Sequence, residues 1–183
     1  MVMDSLNDEI SSRYQKLQQF LASGKWREAD EETRRVMLQV AGREKERWLN
    51  LDDINQFPCE DLRQIDGLWV QYSNGRFGFS VQKRIWQECG GKVDLETEER
   101  LADRVGWKMR GKSIKNYDKL TFSTLSPPGN LPAVWIHYDK LTFSTVSPPG
   151  HLPAVGSWFF WLGPYWRGWA VSVFFSRVQT CKL

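Results

Sequence analysis

The chain has 183 residues, a net charge of +3, and acidic and basic residues mixed along its length. That length supports one ordinary domain with a real interior, and the weak, dispersed charge excludes the basic stripe of a nucleic-acid binder. Two histidines, His137 and His151, and three cysteines without metal-ligand spacing exclude a zinc cluster.

The opening M-V-M-D-S-L-N-D-E-I is acidic, unlike a transit peptide, and lacks the apolar run of a secretion signal, so the chain reads as made where it works. Leu6, Ile10, Tyr14, Leu17, Phe20 and Leu21 line one face of a helix predicted over 5–23, which Gly24 ends. Trp26, Ala29, Thr33, Val36, Met37 and Val40 line a second, over 25–41, stopped by Gly42. So short a gap makes the pair an antiparallel hairpin. The next stretch, W-L-N-L-D-D-I-N-Q-F, carries Trp48, Leu49, Leu51, Ile54 and Phe57 without clean helical spacing. Asp52 is a candidate cap for a short turn there. Apolar groups so arranged are either tucked under a core or facing a ligand.

The best-defined stretch is 57–91. Pro58 suits a first helical position, and Glu60 and Asp61 favour the positive end of a helix. Leu62, Ile65, Leu68, Trp69 and Tyr72 share one face of a helix over 59–73, which Asn74-Gly75 stops by accepting positive φ. Phe77 and Phe79 alternate across an extended link. Ser80 is expected to cap a helix over 80–90 carrying Val81, Ile85, Trp86 and Cys89, with Gly90-Gly91 closing it. An aromatic corner thus sets two short helices at an angle, and Trp69, Phe79 and Trp86 read as core. Asp94 caps a further helix over 95–105, and Trp107 to Ile114 reads as a tight hairpin or open turn around Arg110-Gly111-Lys112.

An internal repeat follows. Y-D-K-L-T-F-S-T-L-S-P-P-G-N-L-P-A-V-W (117–135) recurs at 138–156, differing only at Leu125/Val146, Asn130/His151 and Trp135/Gly156. Matching surface-type residues indicate a recent tandem duplication rather than a repeat architecture. Its prolines forbid regular helix, so both copies are expected as semi-rigid extended loops. The tail over 157–183 is aromatic and apolar, with about the length of a membrane span, but Gly163-Pro164 and Arg167-Gly168 break its middle. A packed terminal helix or strand over 170–178 is favoured, with contact at a membrane surface as the alternative. The odd cysteine count makes reduced thiols the expected state of Cys59, Cys89 and Cys181.

The block D-L-R-Q-I-D-G-L-W-V-Q-Y-S-N-G-R-F-G-F-S-V-Q-K-R-I-W (61–86), with W-R-E-A-D-E-E-T (26–33), D-R-V-G-W (103–107) and L-T-F-S…P-P-G-H-L-P-A, resembles the genomes-uncoupled-four family, tetrapyrrole-binding accessory proteins of magnesium chelatase. The resemblance implies an all-α fold: a small helical bundle in a single domain over 1–183, with two long ordered loops forming a cup. It implies binding of protoporphyrin IX and magnesium protoporphyrin IX and no metal held directly by the protein. The implied partner is the large porphyrin-handling subunit of magnesium chelatase, whose metal insertion it stimulates. The implied setting is cyanobacterial cytoplasm or plastid stroma, with peripheral membrane contact, and the implied state is a monomer. In the family, 117–135 occurs once, so one copy should fill the family position and the other form an extra loop.

No histidine lies in a nucleophile or acid–base motif, and S-N-G-R-F-G-F lacks the lysine of a phosphate loop, so catalysis is not expected. A porphyrin needs apolar plates on its faces and cations for its propionates, and arginine meets a carboxylate with two parallel bonds. Trp48, Leu51, Ile54 and Phe57 form one candidate plate, and Phe77, Leu120, Phe122, Trp135 and the copied Phe143 and Leu152 supply the other. Arg76, Arg110 and Lys112 are the candidate rim cations. His151 joins the set, although its sequence context alone reads as a hydrogen-bonding loop residue. The rival is a regulatory module sensing a tetrapyrrole or a protein without any role in chelation.

Overall fold

The computed structural model describes residues 2–92, 94–109, 112–113, 120, 122–132 and 165–183. Its elements in chain order are α1 (Val2–Ala22), α2 (Trp26–Val40), α3 (Leu51–Gln56), α4 (Cys59–Tyr72), α5 (Phe79–Glu88), α6 (Leu95–Arg104), β1 (Lys108–Met109), β2 (Lys112–Ser113) and α7 (Tyr165–Thr180). The expected all-α class holds. The only strand pairing among the described residues is the two-residue hairpin of β1 and β2, with Lys108 opposite Ser113 and Met109 opposite Lys112. It falls where the sequence placed a tight hairpin or open turn.

Local chemistry explains the helix ends, with three corrections. Asn74 (φ 53°) and Gly75 (φ 75°) end α4 in left-handed geometry, as read. Pro58 sits one place earlier than expected, at the cap of α4. Ser80 does not cap α5: Gly78 holds the cap position, and the Ser80 N–H donates to Asp66 Oδ1 at 2.9 Å. The turn assigned to Asp52 is the helix α3, capped by Asn50. The Asn50 side chain accepts from the Asp53 N–H, and the Asp53 carboxylate accepts from the Asn50 N–H, each at 2.8 Å. Arg43 adds a bond from Nε to Asp53 Oδ2, also at 2.8 Å. Such reciprocal capping lets a six-residue helix form where apolar spacing gave no signal.

α1 packs on α2 and α4, and α7 packs on α3, α5 and α6. The aromatic corner divides the interior. Phe77 points into a cluster with Trp26 and Trp69, at centroid distances of 5.6 and 6.3 Å. Phe79 points the other way, edge-on to Phe174 of α7 at 4.9 Å, while Trp86 meets Phe175 at 5.7 Å. Trp69, Phe79 and Trp86 are all buried, as expected of core. The tail does end in a packed helix, with Phe174, Phe175 and Val178 buried. Among the described residues, no helix is long and apolar enough to cross a membrane.

The expectation of three free thiols is overturned. Cys59, the first residue of α4, and Cys181, just past α7, form a disulfide, and Cys89 is the free, buried cysteine. The pairing spans 122 residues, and nothing in local spacing announces that α7 returns the end of the chain to the start of α4.

Polar groups fasten the helices at buried points. Tyr14 on α1 donates its hydroxyl to Asp61 Oδ1 on α4, where Arg13 also donates at 3.0 Å. Burial, then the bond to Asp61, pushes the Tyr14 hydroxyl far above its ordinary range. Burial works against ionised Glu32, but bonds from Arg35 and attraction to Lys16 outweigh it and hold its carboxyl below the usual range.

Asp66 differs. Burial raises its carboxyl above the ordinary range despite the bonds it accepts from Ser80 and Phe79. A carboxyl with a folded-state pKa above its unfolded one binds protons preferentially in the fold, so its contribution to stability falls as pH rises through that window. Asp66→Asn removes the titration. The stability of this variant relative to the parent is expected to improve from about pH 4 to about pH 7, measured by urea unfolding at both. A pH-independent difference would show that Asp66 has no raised pKa in the fold.

Candidate functional site

The expected plates rest on different supports. In the first, Trp48 and Leu51 are part-exposed, while Ile54 (1% exposed) and Phe57 (2%) are buried. Leu51 and Ile54 of this plate lie on α3, with Trp48 just before it and Phe57 just after it, and α3 is seated on α7. Arg177 of α7 donates from Nε and from its terminal nitrogen to the Phe57 carbonyl at 2.9 and 2.8 Å. Trp48 and Leu51 therefore face outward from a segment whose other apolar residues are sunk into the core.

The second plate begins in the first repeat copy, whose 126–132 segment is docked on the corner between α4 and α5. The Gly129 N–H donates to the Arg76 carbonyl at 2.8 Å, and the Gly78 N–H to the Leu131 carbonyl at 3.0 Å. Gln82, fully buried on α5, donates to the carbonyls of Gly129 at 3.0 Å and Pro132 at 2.8 Å. Trp107 Nε1 donates to the Asn130 carbonyl at 2.8 Å, and Asn130 Nδ2 to the Val105 carbonyl at 2.7 Å. A proline-rich segment cannot satisfy itself by forming a helix or sheet, so these side chains supply the partners that its buried carbonyls need. Among the described residues, the docked copy is the one carrying Asn130. The copy carrying His151 lies outside them.

Docking leaves the apolar tip outward. Leu125 is 90% exposed. Phe122 is half-buried, with the Arg27 guanidinium of α2 over its ring at 5.6 Å. Leu120 is buried. Phe77 is fully buried within the Trp26–Trp69 cluster, so its ring serves the protein's own packing. Arg76, placed at the rim by sequence, is part-exposed and spends one terminal nitrogen on the Ser126 carbonyl at 2.7 Å, fastening the docked segment. The Arg76 corner, Phe77 and the docked segment are thus brought together, whereas Trp48 and Leu51 are carried on the α3–α7 side. Arg110, Trp135, Phe143, His151 and Leu152 lie outside the described residues, as does the side chain of Lys112.

Among the described residues two recesses open, the first beside the docked segment. One, of about 360 Å³, is lined by Arg84, Ile85, Glu88, Arg104 and Pro128; the other, of about 300 Å³, by Ser12, Arg13, Lys16, Arg35 and Gln39. Their charged walls do not match the apolar plates that a macrocycle requires, and neither contains a candidate residue. In the first, Arg104 is bonded to Glu88 at 2.7 Å. Sequence reasoning missed Gln82, Asn130 and Trp107 as the residues that hold the loop. One signal was available for Gln82, an uncharged polar residue beside Val81 and on the face of Ile85. Among the described residues, no group of histidine, cysteine, aspartate or glutamate could hold a metal.

Comparison with known proteins matches residues 7–136 to the model of a family described as GUN4-like. The chain is 39% identical over 135 residues to the tetrapyrrole-binding protein, chloroplastic, of Arabidopsis thaliana, which covers 68% of this chain and 49% of that one. It is 35% identical over 121 residues to a Ycf53-like protein of Synechocystis, covering 65% of this chain and 50% of that one. It therefore spans about half the length of these curated relatives. The solved structure of GUN4 from Chlamydomonas reinhardtii superposes with a TM-score of 0.57 at 28% identity, over 65% of this chain and 78% of that one. The matched stretch holds α2 to α6, the corner and the docked segment, and on this ground the chain belongs to the GUN4-like family.

Proposed function

We propose that this chain binds a tetrapyrrole, protoporphyrin IX or its magnesium complex, and acts as an accessory protein of magnesium chelatase. In this reading it engages the large porphyrin-handling subunit and presents or removes the pigment in the cyanobacterial cytoplasm or plastid stroma, at or near a membrane surface. It performs no bond chemistry itself. The observation that carries the reading is the match to an Arabidopsis relative named as tetrapyrrole-binding, over the stretch that builds the corner and docks the first repeat copy. The geometry supports it in a specific way. Apolar groups that water would ordinarily drive inward (Leu125, Phe122, Trp48 and Leu51) stay wholly or partly exposed, next to or within segments held by hydrogen bonds, 126–132 and the capped α3. Preorganised apolar plates lose little entropy when a flat ligand settles on them. Arg110, Trp135, Phe143, His151 and Leu152 complete the proposed set.

The test is titration with magnesium protoporphyrin IX while following tryptophan fluorescence. Saturable quenching at micromolar pigment is expected. Trp48→Ala and Phe122→Ala should each weaken Kd about tenfold, the loss typical of truncating an aromatic anchor, with the unfolding midpoint little changed. Absence of quenching in the parent chain would refute the reading.

A further inference from the structure

We propose that the Cys59–Cys181 disulfide is a thiol-exchange site, open to a dithiol reductant, whose state sets how firmly α3 is held. The consequence for pigment rests on the function proposed above; the exchange site itself does not.

The bond lies where α3 meets α7. Phe57, the residue after α3, is followed by Pro58 and then by Cys59. Its carbonyl takes the two bonds from Arg177, four residues before Cys181. Arg63 donates to the Cys181 carbonyl at 3.0 Å, and Lys83 to the Leu183 carbonyl. The end of α7 is thus tied to α4 by one covalent bond and the Arg63 bond, to α5 by the Lys83 bond, and to the foot of α3 by the two Arg177 bonds, a clamp that closes where α3 runs into α4. Six residues make fewer than two helical turns, too few to persist without tertiary support. What α3 has is its capping box, Arg43, the burial of Ile54 and Phe57 against α7, and this clamp.

Access is one-sided. Cys59 is part-exposed, whereas Cys181 is 1% exposed. A reductant thiolate therefore attacks the Cys59 sulfur. The bond between the two protein sulfurs breaks, and its electron pair leaves on the Cys181 sulfur, which takes up a proton. The second thiol of the reductant, as thiolate, then attacks the mixed disulfide on its own sulfur. The Cys59 sulfur leaves with that electron pair and is protonated. In sum, two electrons and two protons pass to the protein, and the reductant becomes a disulfide. Cys89, buried on α5's side of the core, takes no part. Phe174, Phe175 and Val178 keep α7 seated after reduction, so the fold survives while the foot of α3 loosens. Leu51 opens α3 and Trp48 lies three residues before it.

Amide hydrogen exchange on the full chain, before and after dithiothreitol, tests this. Residues 51–57 should exchange about tenfold faster when reduced, while 29–38 in α2 remain unchanged. Cys59→Ser should exchange at the reduced rate with or without dithiothreitol, and Cys89→Ser should keep the difference. Equal exchange in the two forms, or three alkylatable thiols in the non-reduced chain, would overturn the proposal. Magnesium protoporphyrin IX should bind about threefold more weakly to the reduced form. Binding at equal Kd would overturn the coupling to the site. No binding in either form would refute the proposed function and leave the exchange measurement to decide the clamp.

Discussion

Trp69→Ala is expected to lower folding stability by about 4 kcal/mol, at the upper end for a single core truncation. The ring is fully buried on α4. It stacks on Trp26 of α2 at 6.1 Å and meets Phe77 of the corner edge-on at 6.3 Å. Its Nε1–H donates to Thr33 Oγ1 at 2.9 Å, and Thr33 donates onward to the Ala29 carbonyl at 2.8 Å. One side chain therefore joins α2, α4 and the corner, and no neighbour can collapse into the space without breaking another of these contacts. For a chain of this size the loss corresponds to a fall of about 10 °C in Tm, read by thermal unfolding followed by circular dichroism. Trp69→Phe separates packing from hydrogen bonding. It keeps most of the ring and leaves Thr33 its bond to Ala29, so about 1–2 kcal/mol is expected. If alanine costs no more than phenylalanine, the junction is not what organises this half of the fold.

The same contrast between packing and polar satisfaction decides what the sequence made legible. Apolar spacing found α1, α2, α4, α5 and α6 with ends displaced by a residue or two, save the start of α1, because amphipathic period and glycine stops act within a few residues. It missed α3, whose stability comes from reciprocal caps and from a helix more than a hundred residues further along. It could not see the disulfide for the same reason: a 122-residue pairing is a property of the finished topology. Among the candidate site residues, Phe77, Leu120, Ile54 and Phe57 have the composition of a ligand plate but serve the core, since composition does not say on which side of the backbone a ring ends up. The docked repeat copy shows the limit most clearly. Two near-identical segments carry almost the same local information. The seat of the copy carrying Asn130 is made by partners outside the repeat, Gln82 for Gly129 and Pro132, and Trp107 and Val105 for Asn130.

Gly78→Ala tests that seat at its narrowest point, with an expected cost of about 3–5 kcal/mol. Gly78 caps α5 at φ 135°, a backbone region that side-chain-bearing residues scarcely enter. A Cβ there would lie 2.7 Å from Asp66 Oδ1 and 2.9 Å from Val70 Cγ2, both on α4. Neither can move freely: Asp66 accepts from the Ser80 N–H at 2.9 Å, and Val70 belongs to the helix that the corner closes. The Gly78 N–H also holds the Leu131 carbonyl at 3.0 Å, and its own carbonyl accepts from the Gln82 N–H at 3.0 Å. Displacing this backbone therefore disturbs α4, α5 and the docked segment together. Amide exchange at 129–131 should rise along with the fall in unfolding midpoint. Gly75→Ala is the internal comparison. It too has positive φ, 75°, but nothing lies within 4 Å of its Cβ, so about 1 kcal/mol of backbone strain is all it should cost. The excess at Gly78 measures the close approach of α4 to the corner. If the two alanines cost the same, that approach is not tight in solution, and the docked segment owes its place to Arg76, Gln82, Asn130 and Trp107 instead.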